Sequence, residues 1–172
     1  RVKSAYSKWS QVGNSRRLTG EETVKKLMQE NGLIGLSVQG IGGNMTDNYD
    51  PRNKTLNLSQ GAAAGSSVAS LAIVAHELGH AQQDAQGSFL LQARGGLVPA
   101  VNFGSALGPW LFIIGFWLNF TPLVWLGIGL FSLAFVFALM TLPVELDASN
   151  RAMRMLTAGG FLVGHEEEGG AR

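Results

Sequence analysis

A His-Glu-Leu-Gly-His motif at residues 76–80 contains the residue types that hold and use a zinc ion. It follows the apolar run 68–74, so we predict that it lies on a helix, where His76 and His80 project from one face and can bind the same ion. The Glu77 carboxylate, next to a ligand, can accept a proton from a water at the open coordination position and act as general base. The alternative is a structural helix whose histidines are satisfied by hydrogen bonds, although apolar helices normally fill such positions with Leu or Ala.

Composition narrows the possible classes of protein and of metal site. With 172 residues, the chain is long enough for one domain plus a membrane part. It has no cysteine, so a metal must be held by His, Asp or Glu. The formal net charge is +1 and the dense basic region is confined to residues 1–26, which argues against nucleic acid as a partner.

A long uncharged segment predicts a membrane part. Residues 95–144 contain no Asp, Glu, Lys or Arg. Within them, 122–142 would be roughly 30 Å long as a helix, which matches the hydrocarbon core of a bilayer. Residues 97–118 are less apolar but also uncharged, and we predict a second span there, joined to the first by a turn at 119–122. The alternative is a hydrophobic hairpin buried in a soluble oligomer.

The third metal ligand must come from outside the motif. Glu145 is the candidate, because it is the first carboxylate after the apolar hairpin. The hairpin would bring it back to the membrane surface, beside the motif helix that precedes the hairpin. Asp147 is better explained by an ion pair with Arg151, one helical turn further on. The alternative for Glu145 is that it is only solvated. Gly79, which has no side chain, leaves room between the histidines for a third ligand to approach.

Local signals predict the remaining elements. A capping box at Thr19 and Glu22 predicts a helix that runs to about Glu30. Residues 33–38 and 54–58 have the pattern of strands. The basic residues that precede this region are typical of a juxtamembrane helix.

Other polar residues have competing interpretations. Asp47, Tyr49 and Asp50 are predicted to be turn and hydrogen-bonding residues rather than catalytic ones. Asp84, one turn past the motif, is predicted to be solvated, with support of a metal ligand as the alternative. His165 precedes three glutamates that favour the start of a helix, and a role for its imidazole as an oxyanion donor is the less favoured interpretation.

Four segments resemble the bacterial YugP-type membrane zinc metallopeptidases, distant relatives of HtpX and the CAAX prenyl proteases. In chain order these segments are 2–10, 46–52, 75–81 and 142–149. The resemblance extends over nearly the whole chain and implies a zinc endopeptidase with His76 and His80 as ligands, Glu77 as base and Glu145 as third ligand. In HtpX-like relatives an Asp follows the third-ligand Glu by four positions, whereas this chain has Ser149 there.

We therefore expect an α+β membrane protein: a zincin-like metalloprotease domain, with a small antiparallel sheet and the motif helix, and a transmembrane helical hairpin. Residues 1–94 would form the N-terminal part of the catalytic domain, 95–144 the hairpin, and 145–172 a helical part that supplies the third ligand. The resemblance also implies further spans before Arg1 and after Arg172, so a fragment of a longer protein is expected.

The expected function is Zn²⁺-dependent hydrolysis of peptide bonds near the membrane surface, compatible with membrane protein quality control. The competing interpretation is a catalytically silent, zinc-stabilised membrane scaffold. Expected partners are a membrane-associated protein or peptide substrate, the lipid bilayer, and a membrane partner or second copy, but not nucleic acid. The resemblance implies a multi-pass protein of the bacterial inner membrane, and the basic residues 1–26 favour an orientation in which the site faces the cytoplasm. Strand 54–58 is expected to pair with an extended substrate.

Overall fold

A computed structural model of the chain describes residues 2–170, without the side chains of Val2, Lys3 and Glu168. Arg1, Ala171 and Arg172 lie outside the described residues, and so does part of the predicted basic flank. The chain divides into two compact units. Unit 1 consists of Arg1–Gln86 and Leu146–Arg172, and unit 2 is Gly87–Glu145.

The described residues form seven helices and three strands. In chain order these are α1 (Val2–Trp9), α2 (Gly20–Glu30), β1 (Ser37–Ile41), β2 (Asn48–Asp50), β3 (Thr55–Ser59), α3 (Gln60–Ala64), α4 (Val68–Ala85), α5 (Phe89–Trp117), α6 (Thr121–Ala158) and α7 (His165–Gly170). The boundary between the units falls inside α6, between Glu145 and Leu146.

Helix α2 begins and ends where the sequence predicts. The Thr19 hydroxyl accepts a hydrogen bond from the backbone N of Glu22 at 3.3 Å, and Glu22 Oε2 accepts one from the backbone N of Thr19 at 2.8 Å. These two bonds satisfy backbone donors at the start of the helix, which confirms the capping box. Asn31 ends the helix, and Val24 and Leu27 form its buried stripe.

The sheet is mixed, so the prediction of an antiparallel sheet is wrong. The strand order is β1-β3-β2, in which β3 pairs with β1 in parallel and with β2 in antiparallel orientation. Strand β2 lies in a stretch predicted as turns, and β1 begins later than predicted, at Ser37. Pairing between β1 and β3 joins residues 18 positions apart, Ser37 with Thr55, and local sequence does not specify it.

Strand β3 is the central strand, which contradicts the predicted pairing of 54–58 with a substrate. Its backbone is hydrogen-bonded to a neighbour on each side, so it offers no edge. The reason is burial: Leu56 and Leu58 are 0% and 1% exposed, and a strand with a fully apolar face is most stable in the middle of the sheet. The outer edges belong to β1 and β2.

Helix α4 forms the centre of the core in unit 1. Five of its apolar residues have no exposed surface: Val68, Leu71, Val74, Ala75 and Leu78. Ser67 caps its N-terminus, where the hydroxyl accepts from the backbone N of Ser70 at 3.1 Å. Trp9 of α1, 1% exposed, belongs to the same core. The motif predicted to bind metal therefore lies on a helix that is held rigidly by packing.

Unit 2 contains two helices that are long and apolar enough to cross a membrane, α5 and the first part of α6. Only 17% and 6% of their most apolar stretches are buried inside the structure, so these are not core helices of the described chain. A Cβ added at Gly104 would lie 3.0 Å from the carbonyl oxygen of Leu130. A Cβ added at Gly108 would lie 2.9 Å from the carbonyl oxygen of Gly127. The absence of a side chain at these two positions therefore lets α5 and α6 pack closely.

Candidate metal centre

Two imidazoles and one carboxylate form a cluster that could hold a metal ion. His76 and His80 are on α4 and Glu145 is on α6, and one ligand atom of each lies within 4.8 Å of the other two. His80 is buried, whereas His76 and Glu145 are partly exposed. The two imidazole rings meet edge to face, with centroids 4.9 Å apart.

This donor set fits zinc. Two His and one Glu are a known catalytic combination, and ligand atoms on a tetrahedral zinc ion lie about 3.4 Å apart when each bond is about 2.1 Å. Small side-chain rotations would bring atoms within 4.8 Å of one another to that spacing. Three protein ligands leave the fourth position for water or substrate, which is the arrangement of a catalytic rather than a structural zinc site.

Gly79 allows α6 to approach the motif helix. A Cβ at this position would lie 2.5 Å from the carbonyl oxygen of Ala148, which is itself fully buried. Both residues belong to unit 1. The predicted reason for this glycine was room for a third ligand, whereas in the structure the missing side chain makes room for the backbone of α6 at Ala148.

We expect Gly79→Ala to lower the free energy of unfolding by about 1–3 kcal/mol, because the methyl group collides with helix backbone that cannot rotate away. Thermal unfolding in detergent would measure this. Gly95→Ala on α5 is the matched control, because a Cβ there meets nothing within 4 Å. Equal stability of the two variants would show that α4 and α6 are not packed this closely.

Each of the three clustered side chains has a polar partner. Gln83 Oε1 lies 3.0 Å from His80 Nδ1, Ser149 Oγ lies 3.3 Å from His76 Nδ1, and Arg94 Nη1 lies 3.1 Å from Glu145 Oε1. Partners of this kind orient metal ligands and hold imidazoles in one tautomer. Ser149, which occupies the position of an Asp in the HtpX-like relatives, therefore places its hydroxyl beside a predicted ligand.

Glu77 is held by the sheet. Its Oε2 accepts a hydrogen bond from the backbone N of Tyr49 on β2, at 2.9 Å. Burial raises the pKa of the Glu77 carboxyl above its ordinary value, against the opposing effects of the two imidazoles and of the Tyr49 N–H. A carboxyl with a raised pKa is better suited to take up and release a proton near neutral pH.

Tyr49 and Asp84 form a second link between β2 and α4. The Tyr49 hydroxyl donates to Asp84 Oδ2 at 2.7 Å, and burial together with this bond raises the pKa of the phenol. Tyr49 is therefore a hydrogen-bonding residue, as predicted, whereas the prediction of a merely solvated Asp84 is wrong. The carboxylate finds a partner because the sheet lies against this end of the helix.

The other predicted polar residues have structural partners. Asp47 accepts from the backbone N of Ser59 at 2.7 Å, and Asp50 accepts from that of Arg52 at 2.9 Å, which confirms their hydrogen-bonding role. His165 begins α7, as predicted, and its ring lies 5.1 Å from that of Trp9.

Asp147 forms the predicted ion pair and has a partner that the sequence did not indicate. Its Oδ2 lies 2.7 Å from Arg151 Nε and also accepts from Gln83 Nε2 at 2.8 Å. The hydrogen bond from Gln83, which has the larger effect, and the one from Arg151 lower the pKa of the Asp147 carboxyl. Sequence reasoning missed Gln83, and the available signal was a polar residue on the apolar side of α4, three positions after His80.

Comparison with known proteins identifies the family of this chain. A family model described as "Putative neutral zinc metallopeptidase" matches residues 1–172. The chain is 40% identical over 169 residues to "Putative membrane protease YugP" of Bacillus subtilis (strain 168), an alignment that covers 98% of this chain and 75% of that protein. No solved structure matches the chain. The chain therefore belongs to the neutral zinc metallopeptidase family, whose cofactor is Zn²⁺, and its clustered His76, His80 and Glu145 are side chains that could bind the ion.

Proposed function

We propose that this protein is a membrane-embedded zinc endopeptidase that hydrolyses peptide bonds near the membrane surface. In this proposal His76, His80 and Glu145 bind the zinc ion and Glu77 is the general base. The observation that carries it is the convergence of two imidazoles and a carboxylate, from separate helices, next to a carboxyl that the sheet holds in place. Membership of a zinc metallopeptidase family supports the same chemistry.

The zinc ion, Glu77 and Tyr49 have different roles in the proposed reaction. Zinc, when bound, supplies a water whose pKa is lowered to about 7. The Tyr49 N–H holds Glu77 Oε2, which fixes the plane of the carboxylate and assigns proton uptake from that water to Oε1. The hydroxide left from that water would form the new bond to the carbonyl carbon of the substrate, and Glu77 would give its proton to the amine nitrogen as the C–N bond breaks. Cleavage of a membrane-anchored peptide by the wild type and by Glu77→Gln, with zinc content measured in parallel, tests this assignment.

We further propose that residues 95–144 form a transmembrane hairpin between the two parts, 1–94 and 145–172, of a zincin-like catalytic domain. The lengths of α5 and α6 and the outward-facing apolar side chains support this. The name of the Bacillus relative, a membrane protease, is consistent with it. A multi-pass protein of the bacterial inner membrane with its site on the cytoplasmic side would reach membrane-associated protein substrates, as quality control requires.

The orientation leads to a labelling prediction. Positive charge flanking membrane spans favours the cytoplasmic side, so Ser10 should be cytoplasmic and Thr121, the first residue of α6, should face out. Both side chains are exposed and the chain has no cysteine of its own. An impermeant thiol reagent should therefore label Thr121→Cys but not Ser10→Cys in intact cells, and both after lysis. The reverse pattern in intact cells would overturn the orientation.

A further inference from the structure

Gln83 connects a predicted zinc ligand to a charged network. Its side chain is 1% exposed, which is unusual for an amide, and both ends of the amide are bonded. Oε1 lies 3.0 Å from His80 Nδ1, and Nε2 donates to Asp147 Oδ2 at 2.8 Å. All three residues belong to unit 1.

The network determines which end of the amide faces the histidine. Asp147 is ion-paired with Arg151 at 2.7 Å, and an ionised carboxylate can only accept hydrogen bonds. The Gln83 group that faces Asp147 must therefore be the NH₂ group. Its carbonyl oxygen then faces His80, independently of how the amide atoms are labelled.

The amide in turn determines the tautomer of the imidazole. A carbonyl oxygen accepts and cannot donate, so the hydrogen bond at 3.0 Å requires a proton on His80 Nδ1. In the neutral ring the lone pair is then on Nε2, which is the atom that must be unprotonated to bind a metal.

Arg151 is itself held in place from α4. Its Nη1 donates to Gln82 Oε1 at 3.1 Å and to Gln86 Oε1 at 2.7 Å. The guanidinium therefore cannot swing away from Asp147 without losing two further bonds. This makes the orientation of the Gln83 amide a property of the packed helices rather than of one flexible side chain.

We propose that Gln83, oriented by Asp147 and Arg151, is a positioning residue that holds His80 in the Nδ1-protonated tautomer, ready to bind zinc through Nε2. The inference rests on the proposed function in that it takes His80 as a zinc ligand. Gln83 does not bind the metal. Because Gln83 holds the ring in this state, His80 can bind zinc without changing its tautomer or rotating. Loss of a partner of this kind lowers metal affinity by about 10–100-fold.

Gln83→Leu is the direct test, because it removes both hydrogen bonds and keeps an apolar side chain of similar size in the buried site. Nitrogen NMR of the metal-free protein reports the tautomer of each ring, and the chain has only three histidines to assign. Competition with a chelator gives the zinc dissociation constant. We expect the Nδ1-protonated form of His80 in the wild type, its loss in Gln83→Leu, and zinc binding about 10–100-fold weaker.

Gln82→Leu is the matched control. It removes the neighbouring amide and the longer of the two bonds between Arg151 and α4. Arg151 keeps its 2.7 Å bonds to Gln86 and Asp147, so the Gln83 amide stays oriented, and position 82 projects from another side of α4 than His80. Its His80 tautomer and zinc affinity should equal those of the wild type. The same loss in both variants would show that the network acts only through general stability.

A double variant protects the test against misfolding of Gln83→Leu. Gln83→Glu combined with Asp147→Asn reverses the polarity of the link: the new carboxylate accepts from both His80 Nδ1 and the new amide. We expect it to restore the wild-type tautomer and most of the zinc affinity, whereas Asp147→Asn alone should give a mixture of tautomers.

The two proposals fail separately. If the wild type does not bind zinc, the proposed function fails, while the tautomer in the metal-free protein still decides the role of Gln83. If the wild type binds zinc and Gln83→Leu keeps both its tautomer and its affinity, or the folded double variant loses the Nδ1-protonated form, the inference about Gln83 is wrong.

Discussion

Glu77→Gln should abolish peptide cleavage and leave zinc bound. The amide keeps the volume of the side chain, and its carbonyl oxygen can still accept from the Tyr49 N–H, so the fold and both imidazoles should be undisturbed. It cannot take up a proton from water, however, and removal of a general base costs about 10²–10⁴ in rate. The loss should appear in kcat, with little change in KM.

The measurement combines cleavage of a membrane-anchored substrate, elemental analysis for zinc, and abundance of membrane proteins in cells that carry the full-length protein. Glu21→Gln is the matched control: it makes the same chemical change on the exposed surface of α2 and should alter none of the three. A scaffold would be indifferent to Glu77→Gln. If the variant gave the wild-type phenotype in cells and no substrate accumulated, the proteolytic function would be refuted in favour of a scaffold.

Glu145→Ala should lose the metal, whereas Asp147→Ala should keep it with reduced affinity. Glu145 lies within 4.8 Å of both imidazoles, and its loss leaves two protein ligands, fewer than a zinc site needs. Asp147 points to Gln83 and Arg151, so its removal only weakens support of His80, by about 10–100-fold. The pair is well matched because both are carboxylates two residues apart on one helix.

Zinc content after dialysis against low and high zinc separates these outcomes. Glu145→Ala should be zinc-free at both concentrations, and Asp147→Ala should be loaded at the higher one. Retention of zinc by Glu145→Ala together with its complete loss from Asp147→Ala would show that the ligand assignment on α6 is wrong.

Features that depend on nearby residues could be predicted from the sequence. The capping box of α2 joins residues three positions apart, and the motif histidines share a face of α4 because four residues make about one helical turn. The same holds for the apolar stretches of α5 and α6, which are continuous in sequence. It also holds for the ion pair between Asp147 and Arg151, which are four residues apart on α6. The motif, through its residue types and spacing, predicted His76 and His80 as ligands, whereas Glu145 was predicted from its place directly after the apolar hairpin.

Only the tertiary structure decided how these parts meet. The strand order places β3 in the centre and gives the outer edges to β1 and β2. The Tyr49 N–H reaches Glu77 across 28 residues of sequence, Gln83 reaches Asp147 across 64, and Ser149 reaches His76 across 73. No local pattern encodes such pairs, because they depend on which faces of distant helices and strands are buried together. In addition, the Tyr49 group that binds Glu77 is a backbone N–H, which nearly every residue type has, so the residue type at this position does not indicate it.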